Sequence, residues 1–457
     1  MSLMAFSLSK DHIQAPPGFN RWRVPPAALA IHLCIGQVYA FSVFNLPLTR
    51  ALGITHSTSA DWQLTELGWV FTLAIVSLGL SAAVGGRWVV QAGPRKSGMA
   101  AACCWGLGFF VAAAGVTAHN IWLLYLGYGV LGGCGLGIGY ITPVSTLIQW
   151  FPDRRGMATG LAIMGFGGGA LLASPLSEWL MSRFASAESV GVAQTFCVLG
   201  AVYLVVMLYG ALAFRVPPPG WRPPGWAPPA GSTASSTQST PSTAADVRPD
   251  QAIRTRSFYM LWLVLVVNVT AGIGVLGQAS AMSQEIFPDA IDPGRAAYFV
   301  GLLSFFNLVG RFAWSSASDK IGRKPTYAIF LGLGAVLYAV VPLTGLLDNA
   351  WLFVACFAII MSMYGGGFAA IPAYLADVFG TQFVGAIHGR LLTAWSTAGV
   401  AGPALVNYIR QFQIERGIPR AEAYNVTMLL MAVLLVIGFV CNLLVRPVAA
   451  RHDAGPA

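Results

Sequence analysis

Residues 295–324 read RAAYFVGLLSFFNLVGRFAWSSASDKIGRK, and this stretch decides what kind of chain this is. Between Ala296 and Ala317 the only charged side chain is Arg311, and the run then ends in Asp319, Lys320, Arg323 and Lys324. About 20 apolar residues coiled as helix cross about 30 Å of hydrocarbon. The rest of the 457-residue chain repeats the pattern: 56% of its residues are hydrophobic and 9% charged, with a mean hydropathy of +0.67. A soluble domain carries about 25% charged residues, so a water-facing surface of the usual kind is excluded. The chain reads as an all-α membrane protein.

Working outward, twelve spans are expected near 25–48, 63–85, 97–118, 120–149, 157–181, 193–214, 257–282, 295–317, 325–346, 350–376, 388–410 and 425–446. Residues 215–256 are rich in Pro, Ser, Thr and Gly and cannot bury enough apolar surface to order themselves, so they read as a mobile linker. This divides the chain into a tail (1–24), a six-helix bundle (25–214), the linker, a second bundle (257–446) and a tail (447–457). The first tail lacks an apolar core with a small-residue cleavage site and does not read as a signal peptide. The seven cysteines fit neither a zinc site nor a disulfide framework, and read as small buried hydrophobes.

With an even span count, both tails and the linker share one side. Of the 26 Lys and Arg residues, nineteen fall on that side and six on the other, with Arg311 between them. The excess marks that basic side as cytosolic. The net charge of +9 then reports topology and anionic lipid headgroups, and nucleic acid is not an expected partner.

The halves echo each other. Gly93 precedes Pro94-Arg95-Lys96, Gly322 precedes Arg323-Lys324, and Pro143 and Pro372 sit inside the fourth and tenth spans; both pairs are 229 residues apart. Two landmarks at one offset indicate a duplicated unit, whose copies pack around an axis along the membrane normal with a site between them near midplane.

Arg311 stands eight residues before Asp319, about 12 Å inside the helix end at 1.5 Å per residue. A guanidinium at that depth costs roughly 2.5–3.5 kcal/mol on insertion scales, so it needs a wet cavity and a partner. The acids nearest any span, Glu66, Glu178, Asp319 and Asp377, all lie near helix ends. A buried cation without a protein counter-ion makes a site for an anion from outside, and arginine matches a carboxylate with two parallel N–H donors. His32 is the candidate proton carrier, since a histidine in a wet cavity can titrate near neutral pH. The glycine-rich run 135–139 lies within a span, has no phosphate-loop lysine and is not a nucleotide loop, so no cofactor or metal is expected.

The segment SDKIGRK at 318–324 resembles the cytosolic loop motif of the major facilitator superfamily, and GRWVVQAGPRK at 86–96 is a degenerate copy with Val90 where the second has Asp319. WFPDRRGMATG at 150–160, GQVY at 36–39, Asn307 with Arg311, and IHGR at 387–390 resemble the oxalate/formate antiporter family and its monocarboxylate transporter relatives. The resemblance implies a major facilitator fold of twelve helices in two pseudo-symmetric bundles, and a secondary transporter, not an enzyme. It implies a site lined by Tyr39, Tyr140, Phe166, Asn307, Tyr364, Phe368 and Trp395 around Arg311. It also implies gating by Asp319, Arg323, Arg95, Arg154, Arg155, His388 and Arg390.

In the family's oxalate transporters a helix-eleven lysine faces the arginine; Trp395 holds that place here, which favours a monocarboxylate such as formate, lactate or pyruvate over oxalate. In the animal monocarboxylate transporters an aspartate precedes the arginine by four; Asn307 stands there and cannot titrate. A functional monomer in a bacterial inner membrane is expected, carrying a small organic anion with H+ or a counter-anion. The alternatives are a dicarboxylate antiporter and a non-transporting carboxylate sensor.

Overall fold

The computed structural model describes residues 13–226, 246–276 and 278–448. The centre of the expected linker, 227–245, residue 277 and the tail residues 1–12 and 449–457 lie outside the described residues. All regular structure within them is helical, apart from two isolated bridges. In chain order the α-helices are α1 (Val24–Ile35), α2 (Ser42–Leu48), α3 (Leu64–Ala92), α4 (Pro94–Thr117), α5 (Ile121–Leu124), α6 (Gly133–Trp150), α7 (Arg155–Phe184) and α8 (Val192–Ala213). There follow α9 (Pro249–Ala252), α10 (Arg256–Leu276), α11 (Ala279–Ile286), α12 (Pro293–Ile321), α13 (Arg323–Leu346), α14 (Ala350–Phe379), α15 (Val384–Leu391), α16 (Thr393–Glu415) and α17 (Asn425–Leu444). A 3-10 stretch, Gly36–Ala40, breaks the first span, and a π-helix, Tyr125–Gly132, joins α5 to α6.

Among the described residues, nine helices are long and apolar enough to cross a bilayer, ten if the bent first pair, with its 44° break, counts as one span. The other two expected spans correspond to α12, with 29 residues, and α16, with 23. Both are long enough but more polar, and their polar groups bond within the protein: Ser318 donates to Ser315 O at 2.6 Å, and Ser396 to Ile75 O at 2.8 Å. Large apolar side chains cover the outside instead, with Trp351 86%, Tyr298 83% and Val84 83% exposed, as a lipid-facing surface requires. Cys103 and Cys197 belong to that surface, contrary to the expectation that every cysteine is buried. Each sits on a helix whose outer face has only lipid to contact, so the apolar pattern that places a residue in a span does not say which way it points.

The repeat is visible in the backbone. Gly93 (φ +81°) ends α3 and Gly322 (φ +94°) ends α12, each in a conformation that a side chain would strain. Asn120 caps α5 by accepting from Trp122 N at 3.0 Å, and Asn349, 229 residues on, caps α14 by accepting from Leu352 N at 2.9 Å. Within the first half α1 packs on α6, α7 and α8, and α4 on α6 and α8; within the second α10 packs on α16 and α17, and α12 on α14.

The halves meet where α7 packs on α12 and α14, and where α3 packs on α15 and α16. The α7–α12 contact is tight: a Cβ on Gly160 would fall 2.0 Å from Ser315 Oγ, so no larger residue fits without parting the helices. The described residues next to both tails and to the linker are fastened to the basic face. Ala15 N donates to Val216 O at 2.9 Å, Val247 N to Phe379 O at 2.9 Å and Val448 N to Val378 O at 3.0 Å. Toward the opposite face an open apolar pocket of about 1130 Å³ lies between α12 and α14, lined by Tyr298, Leu302, Phe305 and Trp351, with Leu171 of α7 at its side.

Candidate substrate site and gate

Arg311 lies on α12 at the seam between the halves and is fully buried. Its Nε donates to Asn307 Oδ1 at 3.1 Å, one helical turn earlier, and its Nη1 to Ile163 O on α7 at 3.4 Å. The Nη2 group has no partner. The guanidinium sits between Phe166 of the first half, 5.8 Å from the ring centroid, and Phe368 of the second, at 5.4 Å. Desolvated cation–π contacts contribute about 2 kcal/mol each, which offsets part of the cost of burial but supplies no counter-charge. Asp250, Glu285, Asp319 and Asp377 are all engaged by other arginines. A Cβ on Gly167 would fall 2.7 Å from Arg311 Nε, so this glycine makes the room in which the guanidinium lies.

Rings close around it. Phe166 packs edge-on against Tyr39 (5.2 Å), Tyr140 (5.4 Å) and Trp395 (5.3 Å), while Trp395 also meets Phe368 (4.7 Å), and Phe368 meets Tyr364 (5.3 Å). The hydroxyls of Tyr39, Tyr140 and Tyr364 and the indole N–H of Trp395 are buried without partners. The hydroxyls of Tyr39 and Tyr364 face each other and Arg311 without closing a hydrogen bond of normal geometry. Of the wall, only the Tyr39 ring is partly exposed. Arginine and indole nitrogens can only donate, and a phenol donates readily, so this cluster of unsatisfied groups suits a ligand rich in acceptor oxygens.

The structure brings all seven expected wall residues together around Arg311. His32 is fully buried with its ring edge-on to Tyr140 at 5.3 Å, and neither ring nitrogen has a partner. His388, expected among the gating residues, is buried on α15, 5.8 Å from the Tyr140 ring. A one-residue break at Leu392 separates α15 from α16.

At the basic face, Asp319 accepts from Gly156 N and Met157 N, both at 2.8 Å, and from Arg323. These N–H groups belong to the first turn of α7, where no preceding backbone can accept them and the helix dipole favours a negative charge. Asp377 completes the network, accepting from Arg155 Nη1 at 3.0 Å and lying 3.4 Å from Arg323 Nε. Asp319 and Arg155 therefore join the halves, while Arg323 braces Asp319 and Asp377 from within the second half. Two other expected gating residues do neither. Arg95 donates to Phe214 O at 3.1 Å within the first half, and Arg154 is exposed beside Asp153 at 3.7 Å. Basic residues beside a helix end look alike in sequence whether they face a neighbouring half or their own. Arg390 pairs with Asp250 at 2.8 Å.

Sequence reasoning missed Asp250 and missed the network role of Asp377, neither of which lies in a motif. It also missed Gln37, which accepts from Tyr128 O–H at 2.9 Å with its Nε2 unpartnered. At the same face, burial raises the Asp246 carboxyl above its ordinary pKa, opposed by the backbone N–H groups of Gln382 and Thr381.

A helical bundle spanning a membrane, with a polar site at the seam of two halves and a charged latch at one face, defines a membrane transporter. The chain belongs to the Major Facilitator Superfamily, whose family model matches residues 27–403 and 264–457. It is a multi-pass membrane protein and a transporter, not an enzyme. It is 28% identical over 391 residues to the oxalate:formate antiporter of Oxalobacter formigenes, covering 84% of each chain. It is 25% identical over 436 residues to apicoplast pyruvate carrier 1 of Toxoplasma gondii, covering 79% of this chain and 78% of that one. A crystal structure of the fucose transporter FucP in the outward conformation shares the fold, with a TM-score of 0.65, 11% identity and coverage of 93% and 100%.

Proposed function

We propose that this protein carries small monocarboxylates by alternating access, with the carboxylate bound at Arg311. One observation carries the reading: a fully buried guanidinium at the seam of the halves keeps a donor unpartnered and has no carboxylate neighbour among the described residues. The substrate carboxylate supplies the missing charge and accepts from Nη2, while the hydroxyls of Tyr39, Tyr140 and Tyr364 and the indole of Trp395 receive its remaining acceptors. Tyr39, Tyr140 and Phe166 come from the first half; Asn307, Arg311, Tyr364, Phe368 and Trp395 come from the second. Cargo held by both halves couples its own position to their rocking.

A relative named for pyruvate and another named for oxalate and formate support a small organic anion as cargo. A single fixed positive charge in the wall favours one carboxylate over two. Oxalate or another dicarboxylate, exchanged for a counter-anion, is the second reading, and the 28% identity to the antiporter favours it. His32, buried against Tyr140, is the group we assign to proton coupling. The protein works as a monomer in a bacterial inner membrane, with the basic face and both termini cytosolic, and residues 25–214 and 257–446 form the moving bundles.

Uptake of labelled pyruvate, lactate, formate and oxalate into proteoliposomes tests the reading. Arg311→Lys keeps the charge but loses the paired donors, and should lower monocarboxylate uptake by about 100-fold, the scale of a lost charge-assisted hydrogen-bond pair. Unchanged uptake in that variant rules the site out.

A further inference from the structure

The closed basic face has two arms. In one, α12 meets the start of α7 and Asp319 receives the N–H groups of Gly156 and Met157. The other is its repeat mate, where α3 meets the start of α15. The 229-residue step that separates Gly93 from Gly322 also takes Asp319 back to Val90 and Gly156 forward to Gly385. The packing keeps that correspondence, since Val90 Cγ2 lies 3.5 Å from the place of a Cβ on Gly385. This second arm therefore has an isopropyl group where the first has a carboxylate.

It also has two like charges to hold. Arg87 on α3, in the first half, and Arg390 on α15, in the second, converge on one side chain: Asp250 pairs through Oδ2 with Arg87 and through Oδ1 with Arg390 Nη2 at 2.8 Å. Asp250 lies on α9, in the chain that returns from the linker. That chain is fastened beside the arm by Val247 N donating to Phe379 O at 2.9 Å and by Gln382 N donating to Asp246 Oδ1 at 3.0 Å. Without Asp250, two guanidinium groups from opposite halves would face each other across the seam.

We infer that Asp250 is a further gating residue, which supplies from the linker the carboxylate that the first-half loop lacks at Val90. It holds α3 to α15 while the basic face is closed, and it must release Arg87 or Arg390 before the halves part on that side. The two arms differ in kind. Asp319 and Arg323 are mostly shielded, with side chains 16% and 7% exposed, whereas Asp250 and Arg87 are 54% and 51% exposed. Exposed pairs weaken with salt, because the screening length falls from about 30 Å at 0.01 M to about 3 Å at 1 M.

The test follows a cysteine placed under this arm. Ser145 is buried against α15, with its Cβ 3.0 Å from the place of a Cβ on Gly385. Ser145→Cys should react with a water-soluble maleimide only when the arm opens, measured against the unsubstituted chain as background. At about 0.01 M salt, Asp250→Asn should raise the labelling rate about twofold to fivefold, the scale of an exposed ion pair, and Asp250→Glu should leave it near the parent value. Raising salt to about 1 M should accelerate the parent by a similar factor and should not accelerate Asp250→Asn, where salt screens the repulsion between Arg87 and Arg390. The inference is overturned if Asp250→Asn labels at the parent rate in low salt, or if salt accelerates parent and variant alike. Should Asp250→Asn fail to fold, the salt series on the parent and the glutamate variant decides alone. No cargo is needed, so failure here leaves the assignment of Arg311 untouched.

Discussion

The two halves of this transporter share a frame and divide the chemistry. The first contributes rings to the site, Tyr39, Tyr140 and Phe166, and at the basic face it offers the bare start of a helix. The second contributes the buried charge, Arg311, and the acids that hold the faces together, Asp319 and Asp377. Helix-ending glycines, capping asparagines and intramembrane prolines recur at one spacing because backbone geometry must be satisfied twice. Charge need not recur. A second cation within the site would face Arg311 across the seam, and at the basic face the acid that the first-half loop lacks at Val90 comes instead from Asp250.

Three substitutions probe this division, with effects that should decrease in order. Trp395→Lys adds a second charge to the half that already carries one, next to Phe166 and Phe368. The ratio of oxalate to pyruvate uptake should rise at least about tenfold, the scale of one charge-assisted bond; an unmoved ratio would count against selection by charge number. Asp319→Asn removes the charge that faces two first-turn N–H groups and Arg323. Loss of such a cap costs about 1–2 kcal/mol, so a cysteine buried beneath the α7–α12 contact should label about tenfold faster. Val90→Asp restores symmetry by placing a carboxylate at the start of α15. It should slow labelling of Ser145→Cys by about threefold and lower the turnover of transport with little change in KM, because it stabilises one state of the cycle without touching the site.

Much of the division was legible in the sequence, for identifiable reasons. The spans show because hydrocarbon tolerates few charges over 20 residues, and Arg311 shows because it is the exception to that rule. The rings of the wall came from resemblance; their meeting depends on helix rotation, which a uniformly apolar helix does not encode. His388 came with the gating residues by resemblance, and its burial against Tyr140 depends on the same helix rotation. The span count blurs at α12 and α16, whose serines, threonines and asparagines lower the hydropathy; Asn307, Ser315 and Ser318 of α12 are buried against protein where hydropathy assumes lipid. Asp250 gave no sign at all: an acid beside a Pro-rich stretch looks like solvated linker until the fold carries α9 back to Arg87 and Arg390.

The apolar pocket of about 1130 Å³ between α12 and α14 bears on the lipid around the protein. Tyr298, Leu302, Phe305 and Trp351 line it and are exposed, so acyl chains fill what these side chains do not. A movement of α12 that narrowed the pocket would return those chains to the bilayer, and the stiffness of the surrounding lipid would then enter the rate of transport.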